Sequence, residues 1–149
     1  CLYNLHLSAY TSDGKIADEQ LELLLCDMQA EYEAGNYVIG GGDFNKDLLE
    51  DGSEAYFGVS TEDYTWAQPL RFDLLEKTDI RLIAPQGKDG AVPTVRNADG
   101  PYHDGQLVLS VDGFLVSPNV EVTDSEVVST SFAYSDHNPI CMTVTLLAQ

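Results

Sequence analysis

Acidic, amide and imidazole side chains occur in this sequence at points where structural elements begin or end. Three glycines precede Asp43-Phe44-Asn45, and the turn Ser135-Asp136-His137 precedes an apolar run. A turn that holds a carboxylate beside an imidazole suits metal or phosphate chemistry, because one group binds cations and the other exchanges protons. His6 and Asp112 add an imidazole and a carboxylate from distant parts of the chain. We expect these residues to converge at one rim of the fold.

The elements around these residues indicate an α/β arrangement. Alternation over residues 2–7 predicts a strand with Leu5 and Leu7 on one face and His6 on the other. Apolar positions at helical spacing predict a helix over residues 17–34. The apolar run 37–39, followed by three glycines, predicts a buried strand that delivers Asp43 and Asn45 to its C-terminal tip, where α/β folds carry sites.

The remainder of the chain divides into a turn-rich middle and a strand-rich end. Residues 46–105 contain many glycines and prolines and predict loops, with a short helix at 72–77 and a strand at 80–84. The stretches 106–117, 120–130 and 140–147 predict strands, the first two joined by a tight hairpin at Ser117-Pro118-Asn119. Because no repeat or linker interrupts the sequence, we expect residues 1–149 to form a single domain.

Four ordered motifs of this chain resemble the endonuclease/exonuclease/phosphatase superfamily of deoxyribonuclease I-like, metal-dependent phosphoesterases. They are Asn4-Leu5-His6-Leu7, Gly42-Asp43-Phe44-Asn45, Val111-Asp112-Gly113-Phe114-Leu115-Val116-Ser117 and Ser135-Asp136-His137. The resemblance implies an α/β (α+β) fold that is part of a four-layer sandwich, with a mostly antiparallel sheet and a flanking helix. The chain looks like the C-terminal half of that sandwich. The family takes an Asn and a metal-binding Glu from the other half, so we expect a missing N-terminal half as partner.

The resemblance also implies roles for the catalytic residues. Asp43 matches the carboxylate that orients or deprotonates the attacking water, and Asn45 matches the amide that holds this carboxylate and the phosphate. His137 matches the imidazole that contacts the scissile phosphate, with Asp112 as the acid that fixes its tautomer. His6 matches a histidine that hydrogen-bonds the phosphate.

Metal and further phosphate contacts follow from the same resemblance. Asp136 and Asp43 match metal-site carboxylates, and oxygen ligands favour Mg²⁺ or Mn²⁺ over zinc. Thr94 and Arg96 are additional candidates for a phosphate contact. One position departs from the family pattern, because Gly113 stands where an aromatic or hydrophobic residue is common, and we expect looser packing beneath Asp112.

Composition limits the partners of the chain. Among 149 residues, 25 are acidic and 7 basic, which gives a formal charge of −18, and the cations are scattered. Without a basic stripe, duplex nucleic acid is disfavoured, and a small phosphoester or phospholipid head group is the favoured substrate. The three cysteines lack metal-ligand spacing and are expected to be buried thiols. No apolar stretch approaches the roughly 20 residues of a membrane span, so we expect a soluble chain of unassigned compartment.

Two function classes stay open at this point. The first is a metal-dependent phosphoester hydrolase of phosphodiesterase, phosphatase or nuclease type. In it, water attacks phosphorus with help from Asp43, His137 and a divalent cation. The intact protein is then the enzyme, and the isolated chain could lack activity. The second is a non-catalytic C-terminal fragment that acts as a binding or structural module. Asp43 and Asn45 could then merely cap a turn, and the acidic stretch 50–54 is expected to be a solvated loop.

Overall fold

The computed structural model describes residues 1–9, 13–64, 66, 68–88 and 90–148. Its elements are β1 (Leu2–His6), α1 (Lys15–Glu33), β2 (Ile39–Asp43), α2 (Gly52–Phe57), α3 (Phe72–Leu75), β3 (Arg81–Ile83), β4 (Val95–Arg96), β5 (Val108–Leu109), β6 (Asp112–Val116), β7 (Val120–Val127) and β8 (Ile140–Leu146). In this part of the chain, one sheet has the order β1-β2-β6-β3, and the pairs β4-β5 and β7-β8 form separate two-stranded sheets. The pair β1-β2 is parallel and the other pairs are antiparallel. The predicted mixed α/β class with mostly antiparallel pairing is confirmed.

Helix α1 covers one face of the four-stranded sheet. Its buried residues Ala17, Leu21, Leu25 and Met28 belong to the same core cluster as Leu115 of the central strand β6. Each such side chain contributes about 1.5–3 kcal/mol when it leaves water. The predicted helix is therefore confirmed, although it begins at residue 15 rather than 17. The opposite face of the sheet carries the residues that could do chemistry.

Strand β2 includes the three glycines 40–42. A β-carbon at Gly41 would lie 2.7 Å from the ring of Phe114, and one at Gly42, where φ is 147°, would overlap the carbonyl oxygen of Leu5. Glycine therefore allows β2 to lie tightly between β1 and β6 where a larger residue would clash. The predicted strand is therefore present and delivers Asp43 to its C-terminal tip as its last residue.

The predicted strand 106–117 is two strands in different sheets. Strand β5 pairs with β4, whereas β6 pairs with β2 and β3. Between them, the carbonyls of Ser110 and Val111 accept hydrogen bonds from the amides of Leu48 and Phe44, so the chain changes partners at this point. The expected hairpin at 117–119 was also wrong, because β7 leaves this turn to pair with β8 rather than with β6.

The acidic stretch 50–54 is partly helical rather than a solvated loop. The buried carboxylate of Asp47 accepts hydrogen bonds from the amide of Ser53 at 2.6 Å and from its hydroxyl at 2.8 Å. The hydroxyl oxygen of Ser53 in turn accepts from the amide of Ser110 at 3.1 Å. A buried carboxylate needs such partners, and this network fixes the start of α2 against the segment that precedes β6.

Two expectations from composition concern the surface. The three cysteines, expected to be buried, are exposed thiols: Cys1, Cys26 and Cys141. Cys26 lies off the face of α1 that buries Leu25 and Met28, and Cys141 lies on the exposed face of β8. No helix in the described part of the chain has the length and hydrophobicity that a membrane span requires.

Candidate active site

Three neighbouring strands place His6, Asp43 and Asp112 side by side. In the sheet register, the last residue of β1, His6, is opposite the last residue of β2, Asp43. Asp43 is in turn opposite Asp112, the first residue of the antiparallel strand β6. Paired residues of neighbouring strands point to the same face. The row therefore lies on the face opposite α1, at one edge of the sheet.

A loop before β8 brings His137 onto this row. The amide of Arg96 donates to the carbonyl of Asp136 at 2.9 Å, and the amide of Asn138 donates to the carbonyl of Thr94 at 2.7 Å, which anchors the loop to β4. The His137 Nδ1 atom lies 2.8 Å from Asp112 Oδ2. Because a carboxylate oxygen is the acceptor in this contact, its geometry suits a proton on Nδ1.

Two imidazoles approach one oxygen of Asp43. His137 Nε2 lies 3.9 Å and His6 Nε2 lies 3.5 Å from Asp43 Oδ2. The side chain of Asp43 is 15% exposed and that of His6 is 75% exposed. The half-buried carboxylate of Asp43 thus faces two ring nitrogens, and its exposed part is accessible to water or a cation.

The surroundings of His137 favour its protonated form. The hydrogen bond to Asp112 raises the pKa of His137 above its ordinary value, and the charges of Asp112, Asp43 and Asp136 act in the same direction. Partial burial opposes this effect. A protonated imidazole beside a cleft can donate to a phosphoryl oxygen, which the neutral tautomer with its proton on Nδ1 cannot do through Nε2.

Asp43 experiences opposing influences. Burial raises the pKa of Asp43 above its ordinary value, and the nearby charge of Asp112 raises it further. The amide of Asn45 lowers this pKa because it donates to Asp43 Oδ1 at 2.8 Å, and the charges of His137 and His6 lower the pKa as well. A carboxylate with a raised pKa is a better proton acceptor than an exposed one.

Asn45 holds the site through its backbone rather than through its side chain. Its amide N–H binds Asp43, while its Nδ2 donates to the carbonyl of Leu7 at 2.8 Å. The φ of Asn45 is 49°, a left-handed conformation that Asn tolerates better than most residues. The structure therefore differs from the prediction that the amide side chain holds the carboxylate, although Asn45 still lines the cleft.

His6, Asp43, Asn45 and His137 line one cleft of about 460 Å³. Its lining consists of His6, Ala9, Asp43, Asn45, Trp66, Val95, Arg96, Asn97, Ala98, Asp99, Asp136 and His137. Ligand atoms of Asp43, Asp112 and His137 lie within 4.8 Å of one another, a group that can hold a divalent metal ion. Asp136, expected to ligate together with Asp43, lines the same cleft but lies outside this close group.

The packing beneath Asp112 is not loosened by Gly113. A β-carbon at this position would lie 2.6 Å from Leu48 Cδ1 and 3.0 Å from the carbonyl oxygen of Ile83. Both Leu48 and Phe44, which lies nearby, are buried in the core. The expected loosening is therefore wrong, because Leu48 fills the space that a side chain would take.

Arg96 lines the cleft but uses part of its guanidinium to hold a loop. Its Nη1 donates to the carbonyl of Asn97 at 2.9 Å and to the carbonyl of Gly100 at 2.8 Å. The guanidinium therefore shapes the turn after β4. A phosphate contact through the remaining donors of Arg96 stays a prediction.

Thr94 cannot make the phosphate contact that was expected of it. Its side chain is fully buried and does not line the cleft. Its hydroxyl oxygen accepts hydrogen bonds from the amides of Val111 at 2.9 Å and Asp112 at 3.0 Å. Thr94 therefore connects β4 to the start of β6, directly behind the carboxylate that binds His137.

We expect Thr94→Val to destabilise the fold by about 1–3 kcal/mol, because it leaves two buried amides without an acceptor while keeping the shape of the side chain. Urea unfolding followed by circular dichroism measures this. Thr94→Ser keeps the hydroxyl and should retain most of the stability. Thr123→Val, at an exposed hydroxyl on β7, is the matched control, with a change within about 0.5 kcal/mol. Equal stability of Thr94→Val and the unmodified chain would contradict the assignment.

Several residues of the cleft were missed by sequence reasoning. Trp66, Asn97 and Asp99 line it together with His6, Asp43 and His137. The segments that carry them follow no strand or helix periodicity. One signal was present, since Trp66 is the only tryptophan of the chain and lies in a turn-rich segment.

Comparisons with known proteins support the fold. No protein-family model matches the chain, and no curated protein matches it in sequence. A 3′-5′ exonuclease from Neisseria meningitidis matches with a TM-score of 0.65 and 21% identity, over 99% of this chain and 61% of that chain. A mannosyl-6-phosphatase from Bacteroides thetaiotaomicron matches with a TM-score of 0.57 and 21% identity, over 97% and 51% of the two chains.

A third solved structure, an endonuclease/exonuclease/phosphatase family protein from Bacteroides thetaiotaomicron, has a TM-score of 0.53 and 19% identity, over 99% of this chain and 50% of that chain. The present chain thus spans between half and about three fifths of the length of these structures. At these identities the likeness concerns the fold. The predicted resemblance to endonuclease/exonuclease/phosphatase structures is confirmed at that level.

Proposed function

We propose that this chain, which has the fold of endonuclease/exonuclease/phosphatase structures, carries most of the active site of a metal-dependent phosphoester hydrolase. The observation that carries the proposal is the convergence of His137 and His6 on Asp43 Oδ2, at 3.9 and 3.5 Å, with Asp112 fixing the far side of His137. A turn cap would need none of these imidazoles. The names of two matched structures, an exonuclease and a mannosyl-6-phosphatase, support phosphoester chemistry.

In the proposed reaction, water attacks phosphorus and Asp43 takes its proton. The new bond joins the water oxygen to phosphorus and the ester P–O bond breaks. The leaving oxygen takes a proton from solvent, and Asp43 returns the proton that it took to solvent. Protonated His137 donates through Nε2 to a phosphoryl oxygen, where negative charge develops, and His6 adds a second donor. A divalent cation, when bound, stabilises the same developing charge.

The donors of the cleft fit a hard cation. Asp43 and Asp136 offer carboxylate oxygens, and we propose these two as ligands for Mg²⁺ or Mn²⁺. Asp112 accepts from His137 Nδ1 at 2.8 Å, so we propose that Asp112 orients the ring and that His137 donates to the phosphate through Nε2, rather than that the pair ligates the cation. No cysteine lines the cleft, which leaves oxygen and imidazole as its donor chemistry in the described part of the chain.

We propose that an N-terminal half of the same protein completes a four-layer sandwich around this site. The sheet face opposite α1 begins with Leu2, which is 84% exposed, and Leu146 of β8 is 53% exposed. Exposed apolar residues on a sheet face are typical of a surface that another element covers. This chain covers about half the length of the matched structures, which supports the same arrangement.

We propose a small phosphoester, or a phospholipid head group, as substrate rather than a duplex. The formal charge of −18 repels a polyanion, and Asp99 and Asp136 carry that negative charge to the cleft itself. A single phosphate ester needs only the local donors His6 and His137.

Release of p-nitrophenol from p-nitrophenyl phosphate and from bis(p-nitrophenyl) phosphate tests this function, with the gene product that contains this chain and with the chain alone. We expect hydrolysis in Mg²⁺ or Mn²⁺, loss of activity in EDTA, and recovery when the cation is restored. Activity that persists in EDTA would contradict metal dependence. Absence of hydrolysis of either ester in the gene product would contradict the proposed function.

A further inference from the structure

The cleft extends beyond His6, Asp43 and His137 to Trp66, a residue that the proposed reaction does not use. The indole packs against the apolar cluster that contains Val95, Leu107 and Leu109. Tyr64 contacts it edge to face, with ring centroids 6.3 Å apart and an interplanar angle of 78°. Trp66 is therefore braced by a core cluster and a second ring, while part of its surface lines the cleft. A braced and partly exposed indole is a surface on which a ring can pack.

A fixed loop places polar groups in the same cleft. Arg96 and Gln106 both donate to the carbonyl of Asn97, at 2.9 and 2.7 Å, and Gln106 also donates to the carboxylate of Asp99. The hydrogen bond from Gln106 holds the pKa of Asp99 below its ordinary value, so this carboxylate is ionised. Gln106 is itself 5% exposed. The loop thus presents an amide and a carboxylate in positions set by buried partners.

We infer that Trp66, Asn97 and Asp99 form a subsite for the sugar ring of a hexose phosphate whose phosphate lies at Asp43 and His137. This inference rests on the proposed function and names its substrate class. The C–H face of a pyranose packs on an indole, while a carboxylate accepts from ring hydroxyls and an amide both donates and accepts. An acyclic phosphate ester cannot use the indole in this way.

The charge of the cleft favours a single sugar phosphate over a nucleic acid strand. A base could also stack on Trp66, but a strand would bring further phosphates towards Asp99 and Asp136, which line the same cleft. Like charges at close range disfavour that complex. A hexose offers hydroxyl donors to Asp99 and no additional charge.

Fluorescence tests the subsite without catalysis, because Trp66 is the only tryptophan in the chain. The chain is titrated in EDTA with glucose 6-phosphate, mannose 6-phosphate, glycerol 3-phosphate, inorganic phosphate and adenosine monophosphate. We expect a saturable change in emission with at least one hexose phosphate, at a concentration about tenfold lower than with glycerol 3-phosphate. Equal response to the acyclic ester, no response to either hexose phosphate, or tighter binding of the nucleotide would overturn the inference.

A pair of matched variants tests the polar contacts. Asp99→Asn should weaken binding of the hexose phosphate about tenfold, because a hydrogen bond to a charged group is lost. Asp104→Asn removes the same charge from an exposed position outside the cleft and should leave binding unchanged. Equal effects of the two variants would show a general charge effect and contradict the subsite.

The two proposals fail in different ways. Hexose phosphate that binds in EDTA, while the gene product hydrolyses neither p-nitrophenyl ester in Mg²⁺, leaves the subsite standing and removes the proposed hydrolase function. Hydrolysis of p-nitrophenyl phosphate without any preference for the hexose ring leaves the hydrolase and removes the subsite.

Discussion

Asp43→Asn should lower kcat/KM for phosphoester hydrolysis by about 10²- to 10⁴-fold, the usual contribution of a positioned general base. The amide keeps the size of the carboxylate and can still accept from the amide of Asn45, which now donates to Asp43 at 2.8 Å. It loses the ability to take a proton from water, and it is a weaker ligand for a hard cation. Initial rates at saturating Mg²⁺ measure the change.

Asp124→Asn is the matched control for this variant. Asp124 is exposed on β7, so the substitution removes the same charge from a surface strand and should leave the rate within about twofold. Circular dichroism and thermal unfolding of both variants show that the fold is retained. An Asp43→Asn enzyme that keeps more than about a tenth of the activity would contradict the role of Asp43 as base.

The hydrogen-bonded pair Asp112 and His137 gives the second large expected effect. Asp112→Asn and His137→Gln should each lower kcat/KM by about 10²- to 10⁴-fold. Because the two side chains act through one hydrogen bond, the double variant should lose little more than either single variant. A double variant whose loss of kcat/KM equals the product of the two single losses would contradict the claim that Asp112 and His137 act as a unit.

The pH profile of Asp112→Asn has a definite sign. In the unmodified chain, the hydrogen bond to Asp112 raises the pKa of His137, so the protonated imidazole persists to higher pH. Removing the carboxylate charge removes that increase, and the alkaline limb of kcat/KM should move to lower pH. A profile measured between pH 5 and 9 with the residual activity tests this. A limb that stays in place, or moves to higher pH, would contradict the proposed protonation state.

The part of the site that could be predicted from sequence lies at the ends of regular elements. The alternation around His6 and the apolar run before Asp43 each specify which side chain faces away from the core. Sheet register then aligns them, because the last residues of β1 and β2 are opposite each other. The resemblance also paired His137 with Asp112, and the structure places Nδ1 of His137 2.8 Å from Oδ2 of Asp112.

The remaining features depend on contacts that no local pattern contains. The break between β5 and β6 arises because backbone groups of Ser110 and Val111 bind the segment that follows β2. Thr94 is buried because its hydroxyl binds the amides of Val111 and Asp112, which are distant in sequence. Trp66 reaches the cleft from a turn-rich segment whose position is set by tertiary packing. Long-range partners of this kind are visible only in the folded chain.

The most direct test of the account is hydrolysis in water enriched in oxygen-18, followed by mass spectrometry of both products. The account predicts that the label appears in the phosphate, because water attacks phosphorus, and that label incorporation falls with the rate in Asp43→Asn. Label in the alcohol product would mean that a carbon–oxygen bond breaks instead. That result, or labelled phosphate formed at an unchanged rate by Asp43→Asn, would contradict the central claim.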